Sequence, residues 1–117
     1  MLHMSDCLFC KIIRGEIPSR KAYEDDKVYA FHDIKPGAPK HILIVPKKHI
    51  SGVNTANAED TDIIGYSHLV AAKLAREHNI EESGYRTVYN VGPDSGQSVF
   101  HLHLHLLGGR KMAWPPG

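Results

Sequence analysis

Apolar and polar positions alternate along this chain in two rhythms, one helical and one with a period of two. In "LFCKIIRGEIP", Leu8, Phe9, Ile12 and Ile13 recur at helical spacing, Gly15 supplies a stop and Pro18 lies just beyond, which predicts a short helix. A long helix is predicted after Asn57, which caps it with Asp60 three positions later. Ile63, Val70 and Leu74 mark its core-facing side and Asn79 ends it.

Elsewhere the pattern is that of strands. "KAYEDDKVYAFHD" has strand-type residues on both sides of Glu24-Asp25-Asp26-Lys27 and predicts a hairpin. "HILIVP" predicts a buried strand ending at Pro46, with "DIKPGAP" as the turn-rich loop before it. "YRTVYNV" predicts a further strand, and the polar loop "GPDSGQS" leads into "FHLHLHLLGG". There His101, His103 and His105 alternate with Leu102, Leu104 and Leu106, so on a strand the imidazoles share one face and the leucines bury the other. Helices and strands mix without regular βαβ alternation, which predicts an α+β domain with a mostly antiparallel sheet.

A length of 117 residues accommodates a single domain over 1–117 with one core. Fourteen basic residues against thirteen acidic ones give a charge of +1, which argues against a nucleic-acid-coating surface. The longest aliphatic run, Ile42-Leu43-Ile44-Val45, is far short of a membrane span, and no secretory signal is visible, so a cytoplasmic location is expected. In that reducing setting the only cysteines, Cys7 and Cys10, point to a metal or a redox pair before a structural disulfide.

Three histidines in line do not readily converge on one zinc, because the first and third Cα atoms of such a strand lie about 13 Å apart. The remaining choices are a solvent-facing polar strand or a row of imidazoles that divide labour. In the second case one attacks as a nucleophile while its neighbour handles protons or binds phosphate oxygens. Gly96-Gln97-Ser98 stands directly before the row, where backbone amides and a hydroxyl can hold an anion as well as form a turn. Taken together, loop and histidines point to phosphorus chemistry.

"HLHLHLL" matches the His-φ-His-φ-His-φ-φ signature of the histidine triad (HIT) superfamily. The stretch "GQSVFHLHLHLLGGRKMAWPPG", with "KIIRGEIPS", "YEDDKVYAFHDIKPGAPKHILIVPKKHI" and "GYRTVYNVG", resembles its Hint branch, the nucleoside phosphoramidases, over nearly the whole chain from Cys7 onward. This resemblance implies a HIT-like, mostly antiparallel five-stranded sheet with one long and one short helix, assembled as a homodimer. Residues 1–6 are expected to be disordered. The tail 110–117, ending in "WPPG", is expected to dock on the partner subunit, a role suited to stiff Trp114-Pro115-Pro116.

The resemblance also implies roles for individual residues. His103 is the nucleophile that becomes nucleotidylated, His105 contacts phosphate oxygen and assists proton transfer, and Ser98 hydrogen-bonds the same group. His41 supports the triad, which His101 completes. Asp33 grips the ribose hydroxyls; Leu8, Phe9, Ile12, Phe31 and Ile34 line the base pocket; Asn90, Gly96 and Gln97 make further nucleotide contacts. Other triad proteins carry a Cys-x-x-Cys and a structural zinc, which here implies the ligand set Cys7, Cys10, His49 and His101.

The activity so implied is purine nucleoside phosphoramidase: hydrolysis of P–N bonded nucleotides such as adenosine 5'-monophosphoramidates, and of aminoacyl adenylates. Alternatives are a dinucleoside polyphosphate hydrolase of the same superfamily, a non-enzymatic nucleotide-binding adaptor, and a zinc-binding protein with a vestigial triad. Nucleotidyl transferases of the superfamily typically have glutamine at the position of His105, so a histidine there favours hydrolysis.

Overall fold

A computed structural model describes residues 6–117, so the expectation of disorder at 1–6 lies outside the described residues except at exposed Asp6. The short helix α1 spans Leu8–Ile13, and its chain turns away at Gly15, whose φ of 78° suits a residue without a side chain. Strands β1 (Lys21–Glu24) and β2 (Val28–His32) form the expected hairpin. Its turn is built on Asp25, whose Oδ1 accepts from the amides of Lys27 and Val28 at 2.8 Å each. Oδ2 of the same carboxylate accepts from the Tyr23 and Tyr66 hydroxyls, which ties the hairpin to the long helix. Burial opposes ionisation there, but these donors outweigh it and hold the Asp25 carboxyl down to about 2.

Strand β3 (Lys40–Pro46) follows the "DIKPGAP" loop. The long helix α2 spans Thr61–Glu77, four residues later than the expected cap at Asn57. Asn57 instead heads a 3-10 turn, Ala58–Asp60, and the Asp60 carboxylate accepts its backbone N–H at 3.1 Å. Lys48 donates to the other oxygen of nearly buried Asp60 at 2.7 Å, which pins the segment after β3 to the start of α2. Asn79, at φ 60°, closes the helix as expected.

Strands β4 (Tyr85–Val88) and β5 (Leu104–Gly108) complete one fully antiparallel five-stranded sheet in the order β1-β2-β3-β5-β4. The period of two sends alternate side chains to opposite faces. On one face Val28, Ala30, Ile42, Ile44, Leu104 and Leu106 pack against Val70, Ala71, Leu74 and Ala75 of α2. On the other, Tyr29, Phe31, Leu43 and Val45 pack against Cys7, Phe9, Cys10 and Ile12 of α1. His41 and His105 belong to this second face. His41 lies opposite Leu107, which lies opposite Arg86; Leu43 lies opposite His105, which lies opposite Val88. Gly108 lets β5 approach Ile80, three residues beyond α2, since a Cβ there would stand 2.6 Å from Ile80 Cδ1.

The strand of histidines is shorter than its sequence pattern predicts. Its ladder begins only at Leu104, so His101 and His103 precede the paired strand. Leu102 breaks off to donate to the Ile50 carbonyl at 2.5 Å, and the His101 ring turns inward. The alternation of leucines survives, with Leu102, Leu104 and Leu106 all buried. The C-terminal tail lies along its own chain: Arg86 donates to the Ala113 carbonyl at 2.7 Å and stacks 5.5 Å from the Trp114 ring centre. Trp114 stays 80% exposed. No helix among the described residues is long and apolar enough to cross a membrane.

Candidate active site and metal centre

The three histidines face two different tasks. His101 is fully buried. Its Nε2–H donates to the Pro46 carbonyl at 2.7 Å, which leaves the Nδ1 lone pair directed at Cys7 Sγ (3.4 Å) and Cys10 Sγ (3.5 Å). His49 Nδ1 lies 3.4 Å from Cys10 Sγ. Cys7, at the cap of α1, also accepts the Cys10 amide at 3.5 Å, so one helical turn brings both sulfurs to one point.

All four donor atoms fall within 4.8 Å of one another. A tetrahedral ion with bonds of about 2.0–2.3 Å has donor–donor edges of roughly 3.5 Å, so the residues fit such an ion in distance and in chemistry. The carbonyl on the far nitrogen of His101 is the kind of outer partner that orients a ligating imidazole. Burial, and then the neighbouring Cys7, push the Cys10 thiol up to about 11, so a nearby cation is what would favour its thiolate. The expected ligand set is thus assembled entire, while the His101 ring cannot also face a substrate.

His103 and His105 form the second centre, with ring centres 4.9 Å apart. His103 Nδ1 stands 2.7 Å from the His101 carbonyl, an acceptor only, so Nδ1 carries the proton and Nε2 holds a free lone pair. The edge-on ring of Phe9, 4.9 Å away, supports this orientation. The polarity of His105 follows from a chain of donors. Gly37 donates its amide to His41 Nδ1 at 2.8 Å, which puts the His41 proton on Nε2. That proton points to His105 Nδ1 at 2.9 Å, which puts the His105 proton on Nε2. The two neighbours therefore present complementary edges, a lone pair on His103 and an N–H on His105.

Asp33, His41 and His105 also lie close enough to hold a metal. The Gly37 amide argues against it, because an imidazole accepting at Nδ1 must keep its proton on the Nε2 that a metal would need. Burial lowers the proton affinity of His41 and His103, and it brings His105 down to about 4 with help from His103 and His41. At neutral pH all three rings are uncharged.

The remaining expected contacts are distributed around this pair. Asn90 Nδ2 stands 3.4 Å from His105 Nε2, and a half-turn of the Asn90 amide brings its oxygen to the same point to accept the Nε2–H. Asp33 accepts the Lys35 amide on Oδ1 at 2.8 Å and turns Oδ2 toward His41 at 3.5 Å. Phe9, Ile12 and Phe31 are buried in the core, with Phe9 against His103, whereas Leu8 (43%) and Ile34 (92%) are exposed. Ser98 is exposed at the end of its loop, and Gly96 takes the left-handed conformation. The Gln97 side chain is spent within the loop, accepting from the Gly92 amide and donating to the Ser51 and Val99 carbonyls, so it braces the loop.

Four participants escape the sequence reading. The Gly37 amide and the Pro46 and His101 carbonyls orient the imidazoles, and backbone groups carry no residue-type signature. Arg86 is different: it stands two residues from Val88 on the face that carries His105, and the alternation in "YRTV" was sufficient to locate it.

Comparisons with known proteins find relatives by sequence and by structure. A HIT domain matches residues 14–112. The "14 kDa zinc-binding protein" of Zea mays is 51% identical over 115 residues, which covers 97% of this chain and 89% of that protein. Among solved structures, a HIT family hydrolase from Legionella pneumophila Philadelphia 1 superposes with a TM-score of 0.93 at 52% identity, covering 95% of this chain and 99% of that one. A histidine triad nucleotide-binding protein from Candida albicans superposes with a TM-score of 0.79 at 36% identity, over 93% of this chain and 82% of that one. With the domain matched over most of its length and the fold shared throughout, this chain belongs to the HIT family.

Proposed function

We propose that the protein is a purine nucleoside phosphoramidase, which hydrolyses adenosine 5'-monophosphoramidates and related P–N bonded nucleotides to the nucleoside monophosphate. The observation that carries this reading is the pairing of the free Nε2 lone pair of His103 with the Nε2–H of His105. Similar proteins named a HIT family hydrolase and a histidine triad nucleotide-binding protein support it.

In the first step His103 Nε2 attacks the α-phosphorus and the P–N bond breaks. The bound phosphoryl charge draws a second proton from solvent onto His105. His41 then shifts its own proton to Nδ1, giving up the Gly37 contact so that its Nε2 accepts from His105 Nδ1–H, and His105 gives its Nε2–H to the departing amine. Neutral His105 then takes a proton from water as that water attacks phosphorus. The P–Nε2 bond breaks, its electron pair returns to His103, and the monophosphate leaves. His41 keeps the His105 ring in register. Ser98 and the loop amides hold the phosphoryl oxygens, Asp33 Oδ2 takes the ribose hydroxyls, and Phe9, Ile12 and Phe31, with Leu8 and Ile34, accept the base.

The metal centre is assigned to zinc, in line with the name of the maize relative and with the two-thiolate, two-imidazole donor set. Zinc there closes the fold around His101 and takes no part in the chemistry. A reducing cytoplasm suits its thiolates. The assembly is a homodimer in which the exposed Trp114 tail reaches the second subunit.

The test is hydrolysis of adenosine phosphoramidate by the parent and by His103→Ala. Turnover by the parent and near-complete loss in the variant are expected. Equal rates remove His103 as nucleophile, and no turnover by either favours a nucleotide-binding adaptor.

A further inference from the structure

The metal centre and the phosphate-holding loop meet at one side chain. Gln97 folds back across its own loop. Its Oε1 accepts the Gly92 amide at 3.0 Å, and its Nε2 donates to the Val99 carbonyl at 3.4 Å and to the Ser51 carbonyl at 3.2 Å. Among the described residues, the bond to Ser51 is the only hydrogen bond that leaves residues 92–99. The others, from Gly96 to Pro93 and from Gln97 and Ser95 to Gly92, close within the loop. The two segments also lie against each other, since a Cβ at Gly52 would stand 3.6 Å from Gln97 Nε2. Gln97 is half-buried while Ser98, its neighbour, is exposed, so the inward turn of one side chain goes with the outward turn of the next.

Ser51 stands two residues beyond His49, one of the four ligand residues. His49 Nδ1 lies 3.4 Å from Cys10 Sγ, and its ring meets His101 edge-on with centres 4.7 Å apart. Between ligand and carbonyl, buried Ile50 accepts the Leu102 amide. Residues 49–51 are thus joined to 101–102 twice, by backbone at Ile50 and by the ligand cluster at His49 and His101. A thiol is a weak hydrogen-bonding partner for an imidazole. An ion held by all four residues is therefore what fixes the His49 ring and, through two peptide units, the Ser51 carbonyl. Val99, whose carbonyl also takes the Gln97 amide, packs against the core cluster that contains Cys7 and Cys10. Both acceptors of Gln97 Nε2 adjoin the metal centre.

We propose that Gln97 is a positioning residue that couples the metal centre to the phosphate loop. It touches no nucleotide but ties the Ser98 hydroxyl and the loop amides to Ser51. An occupied metal centre then strengthens the hold on a nucleotide's phosphate, and a bound phosphate strengthens the hold on the metal by the same factor, as linkage requires. The inference rests on the reading above, in which this loop holds the phosphoryl group and the four residues hold zinc. Phe9 lies between the two cysteines and against His103, so affinity for the base can depend on the metal as well. The ratio of adenosine to adenosine 5'-monophosphate (AMP) affinities removes that part and isolates the phosphate.

The experiment measures Kd for AMP and for adenosine by calorimetry, on protein loaded with zinc and on protein stripped by a chelator. In the parent, Kd(adenosine)/Kd(AMP) should fall about fivefold on stripping, and saturating AMP should tighten zinc by the same factor in a chelator competition. In Gln97→Met, which keeps the length and removes both polar atoms, the two factors should shrink toward one. Gln97→Glu keeps an acceptor for the Gly92 amide but loses both donated bonds, and it should uncouple as fully; its added charge cancels between the loaded and stripped states. A merely structural role for Gln97 weakens AMP equally in both states and leaves the factor intact, which overturns the proposal. A parent ratio indifferent to zinc, or a factor retained in Gln97→Glu, overturns it as well. Should stripping unfold the chain, cobalt(II) in place of zinc gives the reading on folded protein. AMP, but not adenosine, should shift the visible cobalt bands of the parent, and Gln97→Met should lose most of that shift; an equal shift in both proteins, or none in the parent, refutes the link. A ratio near one in the loaded parent removes the phosphate loop itself, and a parent that takes up no metal removes the metal centre. In either case the link falls with the reading it joins.

Discussion

Truncating His41 tests the chain of tautomers directly. The ring is only 9% exposed, accepts from Gly37 at 2.8 Å and donates to His105 at 2.9 Å. In His41→Ala both partners lose their bond, and His105 is free to move its proton onto Nδ1. It would then aim a lone pair at the substrate where an N–H is needed. Losing one such bond at a buried site costs about 1–3 kcal/mol, which corresponds to a fall of roughly 5- to 150-fold in kcat/KM. His41→Gln restores an amide N–H near the position of Nε2 and should lose less than about tenfold. His41→Asn offers its amide only near Nδ1 and should behave like alanine. The assay is kcat/KM for adenosine phosphoramidate, with ¹⁵N chemical shifts of His105 as a readout of its tautomer. A His41→Ala variant within about twofold of the parent, or one in which His105 keeps its proton on Nε2, refutes the relay.

Three further outcomes follow from the geometry. Cys7→Ser should lose most of the bound zinc by elemental analysis and lower the thermal midpoint by roughly 10 °C, since about 2 kcal/mol shifts a domain of this size by that order; unchanged zinc removes the proposed site. Gly108→Ala drives a Cβ to 2.6 Å from Ile80 Cδ1 and 3.1 Å from its branched Cβ, and should destabilise by about 1–3 kcal/mol in urea unfolding, whereas Gly37→Ala, whose nearest neighbour would be 3.6 Å away, should not. The third concerns pH. Because burial lowers the nucleophile His103, the acid limb of kcat/KM should lie below 6.5, and a limb at or above that value contradicts a neutral free-enzyme nucleophile. The sign for stability is the same: the unfolded chain protonates near 6.5, buried His105 resists until about 4, and folding free energy is lost as pH falls between the two.

Much of this protein is legible before folding because much of its information is local. The helical spacing in "LFCKII", the hairpin flanking Asp25 and Asp26, and the branched run of β3 each follow from a few neighbouring residues. The alternation of "HLHLHL" correctly predicts that Leu102, Leu104 and Leu106 are buried, even where the ladder is missing, but it does not show that His101 is buried as fully on its own side. The late start of α2 was hidden, since a 3-10 turn and an α-helix N-terminus share their capping residues.

What the residues alone could not apportion was the labour among the histidines. Nothing local distinguishes His101 from His103, yet the first turns inward to two sulfurs more than ninety positions away in sequence while the second keeps its Nε2 lone pair free beside His105. The decisive partners are carbonyls of Pro46 and His101, an amide of Gly37, and the ring of His41 across a strand pair. Backbone donors and acceptors are the same at every position, so their choice of imidazole nitrogen arises only once β3 and β5 lie side by side and α1 covers the sheet.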